Sequence, residues 1–164
     1  MATDSSPPPA RLEGRRLVLR DLTPGDAGAL WEAVEGSREP LKRRLAWVGE
    51  ALAADDEARF ISESALGAGR GERAVWGVFE TRVSRAAEPA EGRLVGIVSL
   101  EGMSADGRAQ ARLGIWIRSE RQDKGYGVEA TRLVVEHGFR KLGLHRLYAR
   151  LEPSNRVFRR VLKK

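Results

Sequence analysis

Leu113-Gly114-Ile115-Trp116-Ile117-Arg118-Ser119-Glu120-Arg121-Gln122-Asp123-Lys124-Gly125-Tyr126-Gly127-Val128 is the stretch on which the fold turns. Its first five residues are an apolar, β-prone run, and from Val128 onward Ala130, Leu133, Val134 and Phe139 recur at helical spacing. A strand therefore leads through Gln122–Gly127 into an amphipathic helix. The N–H groups that open a helix are unpaired and carry the positive end of its dipole, so they attract an anion. Gly125 and Gly127 permit a close backbone approach, and Lys124 adds a charge of the right sign. A plain glycine turn before a helix explains the same letters. Two better-known phosphate loops are excluded, since the chain has no G-x-x-x-x-G-K-[ST] and no G-x-G-x-x-G with an acidic residue at the dinucleotide distance.

Downstream, Gly143 is placed to end the helix and His145–Glu152 reads as a returning strand. A strand-helix-strand unit of this length predicts a parallel pair, with ligands outside the carboxyl ends of its strands. A further helix starts near Asn155. Upstream, Arg15–Leu22 reads as a strand, and Thr23-Pro24 opens a helix with Ala27, Leu30, Trp31 and Val34 on one face. Gly36-Ser37 ends it, Pro40 opens a short helix, and Asp55 or Asp56 caps another that buries Phe60 and Ile61 and stops at Gly67, Gly69 and Gly71. Ala74–Phe79 and Arg93–Glu101 read as a hairpin, followed by a turn at Met103–Gly107 and a strand at Ala109–Arg118.

The 164 residues bound one domain, expected over 12–164, with residues 1–11 as a polar, proline-bearing tail. No apolar run is long enough for a bilayer and the first residues carry no signal pattern, so a cytoplasmic protein without membrane partners is expected. There is no cysteine, and His137 and His145 are the only histidines, which argues against metal. The net charge of +6 favours acidic partners such as a phosphate-bearing small molecule, nucleic acid or acidic proteins. The basic residues are scattered without interleaved aromatics, which argues against a nucleic-acid-binding domain.

The pattern Gln122-x-x-Gly125-x-Gly127 after Gly114-Ile115-Trp116-Ile117 resembles the acetyl-CoA pyrophosphate loop of the GNAT superfamily of N-acetyltransferases. Arg15-Arg16-Leu17-Val18-Leu19-Arg20, Leu45-Ala46-Trp47, Gly96-Ile97-Val98-Ser99-Leu100, His145–Leu151 and Glu152-Pro153-Ser154-Asn155-Arg156 follow the order of its RimJ/RimL-like branch. The resemblance implies an α+β fold, with a mixed, mostly antiparallel sheet flanked by helices, the acyl-CoA N-acyltransferase fold. Relatives continue past Lys164 with two more strands, so a truncated, weakened domain or completion by a second subunit, as in a homodimer, is expected.

By the same resemblance, Gln122, Asp123, Lys124, Gly125, Tyr126 and Gly127 would hold the pyrophosphate. Backbone amides of Ile115, Trp116 and Ile117 would hold the pantetheine arm and polarise the acetyl carbonyl, with Asn155 bonding the arm. The Trp116 side chain is expected in the core, and Asn155 serves equally as a helix cap. The family places a serine where this chain has Phe158, so any help near the sulfur must come from elsewhere. Glu101, at a strand end, is the candidate base, and Tyr148 or Tyr126 the candidate acid for the thiolate. The implied reaction is direct transfer from acetyl-CoA, without a metal, to a primary amine, with a protein N-terminal α-amine, such as that of a ribosomal protein, as acceptor. A small-molecule amine and a non-catalytic acyl-CoA-binding or assembly module are the alternatives.

Overall fold

The computed structural model describes residues 10–39, 54–83, 89–103, 109–150 and 156–163. Its sheet has the order β1-β2-β3-β4-β5-β6: β1 (Leu12–Glu13), β2 (Leu17–Arg20), β3 (Arg73–Val83), β4 (Pro89–Glu101), β5 (Gln110–Ile117) and β6 (Arg146–Tyr148). Neighbours run antiparallel except β5 and β6, which are parallel. Among the described residues the helices are α1 (Ala27–Glu35), α2 (Ala54–Gly69), α3 (Tyr126–Arg140) and α4 (Arg156–Lys163). Helix α3 is the crossover that makes the parallel pair possible, as the sequence predicts.

Both faces of the sheet are covered because its inner strands alternate between two apolar sets. Val98 and Leu100 of β4, with Ala111 and Leu113 of β5, pack against Ala130 and Val134 of α3 and Phe158 of α4. Leu94 and Ile97 of β4, with Val75 and Phe79 of β3, pack against Leu30 and Val34 of α1 and Ile61 of α2. The expected mixed sheet flanked by helices is the observed architecture. Trp76 Nε1 donates to the Ala10 carbonyl at 2.9 Å, so the chain is already held just before β1, inside the segment read as tail.

Several boundaries differ from the sequence reading. The expected strand Arg15–Leu22 is observed as the shorter β2, and an unexpected β1 precedes it in a hairpin closed where Gly14 N–H donates to the Leu17 carbonyl at 2.8 Å. Helix α2 runs through Gly67 to Gly69, because close packing on Arg73 outweighs the low helix propensity of glycine: a Cβ at Gly67 would lie 2.6 Å from Arg73 Cδ. Strand β6 is shorter than His145–Glu152, while Gly143 takes φ +65° after α3, as a helix-ending glycine does. The Pro40 helix, the Leu45–Trp47 segment and most of the turn after Met103 lie outside the described residues.

Candidate acyl-donor site

Where β5 leaves β6, its backbone loses a partner on one side. The parallel register runs Gln110↔Arg146, Ala111↔Leu147 and Arg112↔Tyr148, and then β6 ends while β5 continues to Ile117. On the other side, β5 pairs with β4 from Arg112↔Glu101 to Ile117↔Gly96, and Arg118 N–H donates to the Val95 carbonyl at 2.8 Å. Antiparallel ladders alternate, so Trp116 and Gly114 bond to β4 while Ile115 and Ile117 direct N–H and C=O away from it. Among the described residues no strand pairs with them there. The Ile117 carbonyl is taken by Gln122 Nε2 at 3.0 Å, which ties the strand end to the loop. The Ile115 amide faces the gap between β5 and β6.

The loop delivers the chain to the start of α3. Gly125 is the residue before α3, with φ +83° and no side-chain cap on the helix, while Glu129 N–H bonds the Gly125 carbonyl at 3.1 Å. The amides of Tyr126, Gly127 and Val128 thus open the helix with no intrahelical acceptor. Asp123, Lys124 and Gly125 are exposed, and Gln122, Tyr126 and Gly127 half-buried. Asp123 also has a positive φ, +60°, and its Oδ1 lies 3.4 Å from Arg160 Nη1 of α4. Ile115, Ile117 and the loop are therefore contiguous along one edge of the gap, whereas the Trp116 backbone, bonded to β4, is turned away from it and does not offer the amide expected of it.

The remaining candidates fall into separate groups. Glu101, Arg112 and Tyr148 are register neighbours across three strands and project from the same face, opposite to Ala111 and Leu113. Two strand spacings put the Glu101 and Tyr148 backbones roughly 10 Å apart. The Glu101 carboxylate is engaged by Arg73 Nη2 at 2.8 Å on one oxygen and by Arg112 Nη2 at 3.7 Å on the other. Trp116 packs on the α1/α2 cluster, as expected of a core side chain, with Nε1 buried and unpartnered. Tyr126 donates its hydroxyl to Glu80 Oε1 at 3.1 Å, and burial together with that carboxylate raises its pKa above the ordinary phenol value. That makes it a weaker acid than a free tyrosine. Phe158 is buried in the core beneath α3, and Asn155 lies outside the described residues. His137, mid-helix, sits edge-on to Trp76 at 5.9 Å, with its pKa lowered by burial.

Sequence reasoning missed the residues that support the loop from behind. Arg16 and Glu80 contact it, Arg121 pairs with Glu80, and Glu129, which the helix dipole alone would explain, is also bonded to Arg16. Arg16 carries a weak signal as part of the Arg15–Arg20 motif, whereas nothing near Glu80 in the sequence points to the loop.

Residues 16–164 match the family model of the acetyltransferase (GNAT) domain. The Bacillus subtilis (strain 168) protein named "Probable N-acetyltransferase YjcK" is 37% identical over 75 residues, 46% of this chain and 41% of that protein. The alignment thus spans less than half of that relative's length. Among solved structures, RimJ of Mycobacterium smegmatis in complex with CoA-disulfide superposes with a TM-score of 0.80 at 21% identity, over 97% of this chain and 75% of that one. RimL, a ribosomal L7/L12 alpha-N-protein acetyltransferase in complex with coenzyme A, gives 0.82 at 15% identity, over 94% of this chain and 81% of that one. At these identities the structures speak to the fold.

Proposed function

The chain belongs to the acetyltransferase (GNAT) family, and on that premise we propose that it moves an acetyl group from acetyl-CoA to a protein N-terminal α-amine, by direct attack in a ternary complex. Residues 12–164 are taken as the domain that does so. The observation that carries this reading is the coincidence of two unpaired backbone sets. The β5 amide at Ile115 faces a gap at the point where the loop presents the uncapped N-terminus of α3. Such an edge suits an extended, amide-bearing arm that ends in a pyrophosphate, which is the chemistry of CoA.

In this reading the arm lies along Ile115–Ile117, and the Ile115 N–H polarises the acetyl carbonyl as charge develops on its oxygen. The amine then approaches from the sheet face that carries Glu101 and Tyr148, where the Glu101 side chain is part-exposed. Its nitrogen forms a bond to the acetyl carbon and the carbon-sulfur bond breaks. The amine's excess proton passes to Glu101, directly or through water, and the thiolate takes a proton from Tyr148. A protein acceptor is supported by RimL, whose name gives an alpha-N-protein substrate. No helix among the described residues is long and apolar enough to cross a membrane, which suits the cytoplasmic setting proposed for such a substrate.

One observation favours the non-catalytic alternative: both Glu101 oxygens are already engaged by guanidinium groups. Turnover separates the readings. The purified protein is incubated with acetyl-CoA and a panel of peptides with free or blocked α-amines, alongside small amines, while free thiol is monitored. Thiol release that requires a free α-amine is expected. Binding of acetyl-CoA without thiol release from any acceptor would leave the binding-module reading. Glu101→Gln is expected to lower kcat about a hundredfold with acetyl-CoA binding retained.

A further inference from the structure

The loop Gln122–Gly127 is gripped from behind by two side chains that belong to distant parts of the sequence. Arg16 immediately precedes β2, and its own carbonyl accepts from Thr81 N–H at 2.8 Å. From there its backbone N–H donates to Glu129 Oε1 at 2.7 Å and its Nε to Glu129 Oε2 at 2.9 Å. Its Nη1 donates to the Lys124 carbonyl at 2.7 Å, and its guanidinium carbon stands 5.1 Å from the centre of the Tyr126 ring. Glu80 of β3 is the register partner of Leu17. Its Oε1 accepts the Tyr126 hydroxyl at 3.1 Å and lies 2.7 Å from Arg121 Nε.

The loop is therefore fixed at its entry by Arg121, in its middle by Lys124, and at the helix start by Tyr126 and Glu129. The geometry points to Arg16 and Glu80 as positioning residues for the acyl donor: they set the direction of the amides from Gly125 to Val128 without touching the donor themselves. This rests on the proposed binding of acetyl-CoA at that loop. The planar fork of Arg16 matters as well as its charge. It bonds the Lys124 carbonyl and the Glu129 carboxylate in two directions at once, which a lysine ammonium on a flexible stem does not reproduce. It also fills the space beside Gly125, where a Cβ would lie 3.0 Å from Arg16 Nη2. The left-handed turn is thus held against Arg16 on one side, and its amides are presented on the other. An anion site needs such support because its affinity depends on several donors converging on one point.

A staple between β2 and α3 that served the fold alone would affect all ligands alike. A donor-positioning role acts only on the part of the donor that reaches the loop. The test compares CoA, titrated calorimetrically, with pantetheine, which lacks the pyrophosphate and is titrated by NMR, on wild type, Arg16→Lys, Arg16→Gln and Glu80→Gln. Wild type is expected to bind both. Each variant is expected to raise the Kd for CoA, Arg16→Gln by about tenfold, as loss of a supporting partner does at other preorganised sites. Pantetheine affinity is expected to stay at the wild-type value. Arg16→Lys keeps the charge, so it tests the fork even if Arg16→Gln fails to fold. Wild-type CoA affinity in Arg16→Lys, or a proportional loss for both ligands in the folded variants, would overturn the positioning role. Failure of the wild type itself to bind CoA would overturn the donor-site reading and this inference with it.

Discussion

Gly125 is a glycine for two separate physical reasons. Its φ of +83° is a conformation that costs an L-residue about 1–2 kcal/mol, and a Cβ there would press on Arg16. Gly125→Val is accordingly expected to turn the loop off its present course and to weaken acetyl-CoA binding by about tenfold, the affinity equivalent of that strain. The fold should remain, because the loop is exposed and the core lies elsewhere. Calorimetric titration with circular dichroism as the fold control checks this, and unchanged affinity would reject the cradle. The glycine itself was legible in the sequence, since a positive φ before a helix leaves few other choices. Its neighbour Arg16 was legible only as part of a motif. Glu80 was not legible, because its pairing with Arg121 and Tyr126 depends on how β3 lies beside β2, which no local pattern encodes. The dual engagement of Glu101 was hidden for the same reason: Arg73 and Arg112 reach it only through the register of β3, β4 and β5.

Strand β5 shows how an element can be legible in extent and yet hidden in role. Its span was close to the expected Ala109–Arg118, since apolar residues bounded by turn residues are a strong signal. Its separation from β6 after Arg112 was not readable, because the returning strand was expected to run several residues further. The close approach of β4 on the other side is maintained at Gly96, where a Cβ would collide with the Trp116 carbonyl oxygen and crowd Ile117. Gly96→Ala is expected to cost about 1–3 kcal/mol by overpacking, seen as a lower urea midpoint, and to reduce acetyl-CoA affinity by displacing β5. A neutral effect on both would show that β5 is not held in this way. Helix α2 offers a second test at this scale. Glu57 is buried with neither carboxylate oxygen hydrogen-bonded, and burial, with Asp56 adding to it, pushes its pKa up to about 7 from 4.5, against the opposing pull of Arg38. The folded state then binds more protons than the unfolded state between these two values, so stability is expected to fall as pH rises from 4.5 to 7 and to level off above. The loss is about 3 kcal/mol. Glu57→Gln should flatten that dependence and raise the melting temperature at pH 8; a parallel pH profile in the variant would contradict the assignment.

At the scale of the molecule, a sheet with helices on both faces leaves one of its openings at the divergence of β5 and β6. The charge and composition of the chain allow many acidic partners, but the backbone narrows the choice: the opening offers extended-strand amides beside an uncapped helix start. The order of strands and helices and the parallel crossover followed from apolar runs and turn residues, while the mixed sheet flanked by helices followed from the family resemblance. The site followed in part, since the loop is local while its supports are not. The most direct test of the central claim is backbone amide NMR of the protein titrated with CoA. The largest shift changes are expected at Ile115, Ile117 and Gly125–Val128, with lesser changes at Lys124 and Arg16. Binding that leaves those amides unmoved and perturbs the α1/α2 face, or no binding at millimolar CoA, would contradict the account.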